Sequence, residues 1–289
     1  MNYSGWIIYN KEDAQSNKSY IDWFIDQCRK RHIQLQLVYR EDLSIGIFNH
    51  QTEVKQNGQT PISPDFVIVR VVEPTLNLHF EMMGIQVFNS FLVSHICNNK
   101  ALTHMHLSML QIPMLDSVFA PKTLLDEELP ATVPFIIKSV SGRGGRQVAL
   151  IEQQSDMEKY MKETDGQEFV VQPVNVQAGK DLRVFIVGKE IVGAVLRENK
   201  SDFRANYKLG GSATWYSLTK PEIQMIRKIV DHFEFGMVGI DFLFDKDGNL
   251  LFNEIEDVVG SRTLSKVSSV NILEKYVQYI EEKLKQKER

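Results

Sequence analysis

Three carboxylates late in the chain are spaced so that they could bind a cation. The segments VGIDFLFD and LLFNEIE flank Lys246-Asp247-Gly248-Asn249, which has the composition of a turn. A four-residue loop there pairs Asp245 with Leu250. Counting back along antiparallel strands then sets Asp241 opposite Glu254. Glu256, two residues on, faces the same side. Opposed carboxylates about 5 Å apart repel each other, so the trio calls for a compensating positive charge. Oxygen ligands with no His or Cys nearby suit Mg²⁺ or Mn²⁺ rather than zinc. The other reading is a charged hairpin face in solvent. Against it stand Val238, Ile240, Phe242, Phe244, Leu251 and Ile255, which mark a buried sheet that carries Asp241 into a site.

Two cationic elements accompany the acids. Lys138 ends the apolar run PFIIK, and SGRGGR follows. Gly142, Gly144 and Gly145 would let backbone N–H groups approach an anion, with the lysine as a point charge for phosphate. The pattern is neither a Walker A motif nor GxGxxG, and a simple turn is the alternative. Arg183, Arg197 and Arg204 form the second element. A hairpin loop at Gly188-Lys189-Glu190 sets Asp181 opposite Arg197, with Arg183 on the same side. Guanidinium groups bind phosphate and carboxylate bidentately, although most arginines are surface residues. FRANYKLGGSA is polar enough to form a loop over a site. His104 and His106 resemble a metal pair, but on a helix residues two apart diverge, so a structural role is expected. Ser141 has no His–Asp partners in the sequence pattern to make it a nucleophile.

The elements that must position these residues alternate along the chain. Trp6–Tyr9, Leu35–Tyr39 and Phe66–Val71 are apolar strand-like runs, and Tyr20–Arg31 has helical spacing. This suggests a small open α/β lobe, with polar Gln51–Thr60 as a loop or hairpin tip. Leu92–Leu110 is largely helical with a break near Asn98-Asn99. Strands follow at Phe135–Val140, Gln147–Ile151 and Glu168–Val174, then the two hairpins. Thr219 caps a helix with Pro221 in its first turn, and a last amphipathic helix spans about Asn271–Leu284.

The bulk numbers exclude little but point one way. With 289 residues, 43% of them apolar, the chain has length for two or three lobes. A net charge of −4 argues against sequence-independent nucleic-acid binding. No apolar stretch approaches a membrane span, and the N-terminus lacks a signal-peptide pattern. Cys28 and Cys97 lie in apolar helical patterns, as buried reduced thiols do, and a cytoplasmic location is expected.

Taken in order, the motifs from about Phe80 onward resemble the ATP-grasp superfamily, and within it the RimK-type glutamate ligases and their lysine-biosynthesis relatives. NNKALTHMHLSMLQIPM resembles the helix that carries the first nucleotide-binding lysine, here Lys100, with Asn99 where Asp is usual. PFIIKSVSGRGGRQV resembles the second lysine and the phosphate loop. FVVQPV resembles the adenine-contacting strand, usually VQEF. GKDLRVFIVGKEIVGAVLRE, FRANYKLGG and VGIDFLF…NEIEDVVG complete the set. The resemblance implies an ATP-grasp fold, two α+β lobes clamping ATP, behind a small α/β lobe. The expected boundaries are 1–95, 96–172 and 173–289.

It implies Lys100 and Lys138 on the ATP phosphates, and Gln172 and Val174 beside adenine. Arg183, Arg204 and Asn206 would hold phosphates or an acyl-phosphate, with Arg197 in the same cluster. Asp241 and Glu254 would hold Mg²⁺. The activity implied is ATP-dependent joining of a carboxylate to an amine, a small molecule or a peptide, in a protein that could be a homo-oligomer. A phosphotransferase, or a nucleotide-binding module without catalysis, are the alternatives. Glu256 stands where the family has asparagine, Pro173 where it has Glu, and Val259 where it has proline.

Overall fold

The computed structural model describes residues 2–125, 131–144, 147–205 and 211–287. The N-terminal part runs β1 (Ser4–Tyr9), α1 (Lys11–Ser16), α2 (Lys18–Arg29), β2 (Gln34–Tyr39), β3 (Leu43–Phe48), β4 (Gln51–Gln56), β5 (Phe66–Val69), α3 (Pro74–Met82) and β6 (Gln86–Phe88). Four of these strands pair in parallel in the order β2-β1-β5-β6. Parallel neighbours need crossovers, and the helices supply them. β3 and β4 form a separate antiparallel hairpin. The expectation of a loop or hairpin tip over Gln51–Thr60 is therefore corrected over its first six residues. Gln51–Gln56 is a strand whose polarity follows from its exposure, since only Val54 in it is buried. The hairpin tip is Asn49-His50, both at positive φ.

Next come α4 (Phe91–Cys97) and α5 (Lys100–Met109), with the expected break at Asn98-Asn99. Asn99 caps α5 by accepting from the Leu102 N–H at 2.9 Å. A second sheet follows from β7 (Val118–Pro121), α6 (Lys122–Leu125), β8 (Phe135–Ser139), β9 (Val148–Ile151), α7 (Gln154–Glu163) and β10 (Glu168–Pro173). Its order is β7-β10-β8-β9, all antiparallel. Phe135, Ile137, Phe169 and Val171 point to one face and pack on Met157 and Tyr160 of α7. Period two therefore leaves Ile136, Lys138, Val170 and Gln172 for the other face.

The third sheet is built from β11 (Lys180–Val187), β12 (Glu190–Glu198), β13 (Ser212–Tyr216), α8 (Lys220–His232), β14 (Met237–Phe244) and β15 (Leu250–Glu256), and α9 (Arg262–Val267) and α10 (Ile272–Lys287) follow it. The order is β13-β12-β11-β14-β15, antiparallel throughout. Leu182, Val184 and Ile186 bury one face with α8 and also with α4 and α5. On the other face Phe185 and Val187 meet α10 and the N-terminal sheet, which share a core through Phe24, Phe66 and Tyr276. Asp181 and Arg183 lie on that second face, beyond the apolar half. α8 begins at a reciprocal capping box between Thr219 and Glu222 with proline in its first turn, as the sequence predicts. Among the described residues no helix is long and apolar enough to cross a membrane. Cys28 and Cys97 are both buried and free.

The β11–β12 turn is tighter than the sequence predicts. Val187 pairs with Glu190, so only Gly188 and Lys189 connect the strands, and Gly188 takes φ 56°. A bulge between Phe185 and Ile186 then restores the expected pairing of Asp181 with Arg197. A Cβ on Gly188 would meet the Tyr279 ring at 2.5 Å. Gly188→Ala is expected to cost about 1–3 kcal/mol, from left-handed backbone strain plus overpacking against α10. Urea denaturation checks this, and a midpoint equal to that of the unsubstituted protein refutes it.

Candidate active site

The free face of the second sheet looks across a cleft at the polar half of the third. Lys138 and Gln172 line it from β8 and β10, Asp181, Arg197 and Asp241 from the opposite sheet, and Lys100 from the start of α5. The C-terminal side holds a buried lattice of charge. Arg183 donates through Nε and Nη2 to Asp241 Oδ1 and Oδ2 at 2.7 and 2.6 Å. Its Nη1 lies 2.5 Å from Glu256 Oε2. Arg197 donates through Nε and Nη2 to Asp181 at 2.6 and 2.8 Å, and from Nη2 to Asp241 Oδ2 at 2.9 Å.

All four core members are at most 9% exposed. Burial pushes the Asp241 carboxyl up, but Arg183 and Arg197 outweigh it and hold it at about 2. Asp181 sits above its ordinary range, because burial there exceeds the pull of Arg197. Gly239 makes room for this arrangement. A Cβ there would stand 3.3 Å from Arg183 Cδ and 2.7 Å from Val259 Cγ2.

The expected pairing of Asp241 with Glu254 is present, though its origin differs. Phe244 pairs with Leu250, so the loop is one residue longer than predicted. A bulge between Asp241 and Phe242 absorbs the extra residue. As a result the consecutive residues Asn253 and Glu254 both reach the cleft. Asn253 Oδ1 accepts from Lys138 Nζ at 2.7 Å, and Glu254 Oε2 lies 3.2 Å from Lys100 Nζ. Sequence reasoning missed Asn253, because no local signal marks the bulge. Burial pushes the Lys138 ammonium down to about 8, with a smaller opposing pull from Glu254.

These pairs correct the premise that the three carboxylates lack compensation. Arg183, Arg197 and Lys100 already supply it. Among the described residues no three acidic, His or Cys side chains are gathered around one point as for a metal. The donor chemistry still suits a hard cation. A carboxylate has about four acceptor positions, and Asp241 uses three of them. Mg²⁺ needs only one or two carboxylates when phosphate oxygens complete its shell.

A hydrogen-bond chain fixes one further side chain. His104 is buried, and burial lowers its pKa to about 4, so its ring is neutral. Its Nδ1 lies 2.7 Å from the Lys100 carbonyl, which can only accept, so Nδ1 carries the proton and Nε2 is an acceptor. Ser117 donates to the Leu115 carbonyl at 2.9 Å. The Gln172 amide nitrogen therefore donates to Ser117 Oγ at 2.9 Å and to His104 Nε2 at 3.4 Å. That leaves Gln172 Oε1 buried without a partner. His106 turns away to His232, as helical spacing predicts.

Arg204 lines the cleft and pairs with Asp202 at 2.7 Å. Val174 is 37% exposed just beyond β10. Gly144 takes φ 63°, and the Gly142 carbonyl accepts from Lys100 Nζ. Gly145 and Asn206, both expected at the site, lie outside the described residues.

Comparison with known proteins bears on the fold and the family. Residues 99–280 match the model of the RimK-like ATP-grasp domain. An uncharacterised Mycoplasma pneumoniae protein, the MG012 homolog, is 30% identical over 206 residues, covering 66% of this chain and 72% of that one. A probable alpha-L-glutamate ligase of Legionella pneumophila is 28% identical over 214 residues, covering 72% and 70%. A RimK domain ATP-grasp protein from Sphaerobacter thermophilus superposes with TM-score 0.74 at 15% identity, covering 96% and 98%. The ATP-grasp ligase PsnB, complexed with a phosphomimetic variant of its minimal precursor, Mg and ADP, gives 0.70 at 14%, covering 98% and 99%. A cleft between two antiparallel sheets, a lysine on each of α5 and β8, and a family match over most of the chain lead to one assignment: this protein belongs to the RimK-like ATP-grasp domain family.

Proposed function

We propose that this chain is an ATP-dependent carboxylate–amine ligase that forms an amide or peptide bond through an acyl-phosphate and releases ADP and phosphate. The observation that carries the reading is the convergence of Lys100 and Lys138 on one cleft with Asp241 and Glu254. The names of its relatives support it, including a probable glutamate ligase and a ligase complexed with a precursor, Mg and ADP. An amino acid is the amine this favours, with a small molecule or peptide as the carboxylate. The three regions 1–95, 96–172 and 173–289 would act as a substrate lobe and the two halves of the nucleotide clamp.

In this reading Lys100 and Lys138 release Glu254 and Asn253 and hold the phosphates. Asp241 and Glu254, with Glu256 beside them, would hold Mg²⁺ or Mn²⁺, which neutralises phosphate charge when bound. The arginines of the lattice then have three tasks. They fix the carboxylates, stabilise the transferring phosphoryl group, and later stabilise the oxyanion formed when the amine attacks. Arg183 is assigned the last two, together with Arg204, which lies outside the lattice and pairs with Asp202. Gly142, Gly144 and Gly145 would close backbone N–H groups over the phosphates, and Val174 would meet adenine through its backbone. Enclosure keeps water from the acyl-phosphate.

Hydroxylamine traps acyl-phosphates. With Mg–ATP and a panel of carboxylates, hydroxamate is expected together with ADP and phosphate. AMP and pyrophosphate, or a stable phosphorylated product, would overturn the reading.

The Lys138 pKa of about 8 sets a pH dependence. Phosphate favours the charged ammonium, so ATP binding above pH 8 draws in a proton, whereas at pH 6.5 the lysine is already charged. Affinity therefore falls as pH rises through about 8, by up to about tenfold per unit. Calorimetry in buffers of different ionisation enthalpy is expected to show uptake approaching one proton at pH 9 and near none at pH 6.5. Identical heats across buffers at pH 9 would contradict this.

Gln172 Oε1 is a buried acceptor in want of a donor, and the exocyclic amine of adenine is one. Gln172→Met is expected to weaken ATP about tenfold while leaving inosine triphosphate, which has oxygen there, nearly unchanged. An unaltered ratio of the two affinities rules the contact out.

A further inference from the structure

Arg70 is a partly buried cation that the reaction described above leaves unused. It follows β5 directly, and its N–H still pairs with the Ile8 carbonyl of β1 at 2.9 Å. Its side chain lies against the faces of Tyr9 and Tyr20, with the guanidinium carbon 5.8 and 5.4 Å from their ring centroids. Nε donates to Tyr9 Oη at 3.1 Å and Nη2 to the Val259 carbonyl at 2.9 Å. Those contacts occupy one edge of the guanidinium fork. The end-on edge, Nη1 with the second hydrogen of Nη2, has no hydrogen-bond partner among the described residues.

Arg70 also has no carboxylate within salt-bridge distance among the described residues, unlike the more deeply buried Arg183 and Arg197. An arginine cannot shed its charge. A charge partly withdrawn from water without a counterion carries a cost, and aromatic faces offset only part of it. The Tyr20 hydroxyl beside it is buried with no hydrogen-bond partner.

The position has its own meaning. In the order β2-β1-β5-β6 the chain leaves β1 toward one edge and β5 toward the other, so the carboxyl ends of β1 and β5 flank the topological switch point. Open parallel sheets bind ligands there. Tyr9 ends β1 and Arg70 follows β5. The Val259 carbonyl that Arg70 grips belongs to the segment after β15. The Val259 side chain and Arg183 approach the same point above Gly239. One valine therefore separates Arg70 from the charge lattice.

We propose that Arg70 anchors a substrate: its end-on fork binds a second carboxylate, one not consumed in the reaction, on either the carboxyl donor or the amine acceptor. This rests on the ligase reading for its account of which groups react. The planar fork, walled by two tyrosines, matches a planar carboxylate bound bidentately.

Matched probes test it on the full chain with Mg–ATP present. Glutarate against butyrate reports on the carboxyl donor, and L-glutamate against 4-aminobutyrate on the amine acceptor. Calorimetry is expected to show at least about tenfold tighter binding of the compound with the extra carboxylate in one pair. The pair that responds identifies the source. Arg70→Lys, which keeps the charge and loses the fork, and Arg70→Met are both expected to abolish that preference without changing ATP affinity. Removing an unmatched charge is also expected to leave the melting temperature of Arg70→Met no lower than that of the parent. No preference in either pair, or a preference that survives both substitutions, overturns the proposal. So does a lower melting temperature with the preference intact, which would make Arg70 a structural staple. Hydroxamate formation is scored separately. If it never occurs while the preference depends on Arg70, the ligase reading fails and the anchor stands.

Discussion

Asp241 shared between Arg183 and Arg197 is the interaction on which the rest of the site depends. A carboxylate almost wholly removed from water is tolerable only because two guanidinium groups enclose it, and they in turn need Asp181 and Glu256. Breaking such a set by removing one member typically costs about 3–5 kcal/mol, because the remainder is left unpaired. The lattice spans β12, β11, β14 and β15, so it also locks four adjacent strands at one end of the sheet. The other end is held by apolar packing against α10. The sheet is thus dry at one end and ionic at the other, and the cleft lies where the two meet the second sheet.

That geometry explains the packing of the lobes. α5 carries Lys100, yet its apolar face packs with the third sheet through Leu107, so this lysine is fixed relative to Glu254. Lys138 belongs to the second sheet, whose core is separate. The two lysines therefore approach the cleft from different bodies of packing. The contact of Lys138 with Asn253 is a polar link between them.

Much of this was legible in the sequence, and the places where it was not share a cause. Alternating apolar residues located β11, β12, β14 and β15, and periodicity located α2, α8 and α10. Both hairpin registers came out as expected at the functional end for a reason the sequence does not display. In each, the true turn differs from the predicted one by a residue, and a bulge compensates. Register is enforced by which side chains can be buried, so the Asp181–Arg197 and Asp241–Glu254 pairings survive a shift at the tip. What burial does not dictate stayed invisible. The strand Gln51–Gln56 is too polar to show itself, and the role of Asn253 exists only because of a bulge. The Gln172 chain depends on His104, which sequence spacing could mark as structural but could not orient.

One consequence follows from the contacts of Lys100 and Lys138. Both ammonium groups are already paired with groups of the protein: Glu254, the Gly142 carbonyl and Asn253. An incoming polyphosphate thus displaces groups tethered to the protein, which stay beside the site after they are released. The cleft behaves as an internal ion exchanger, already loaded with its own anions.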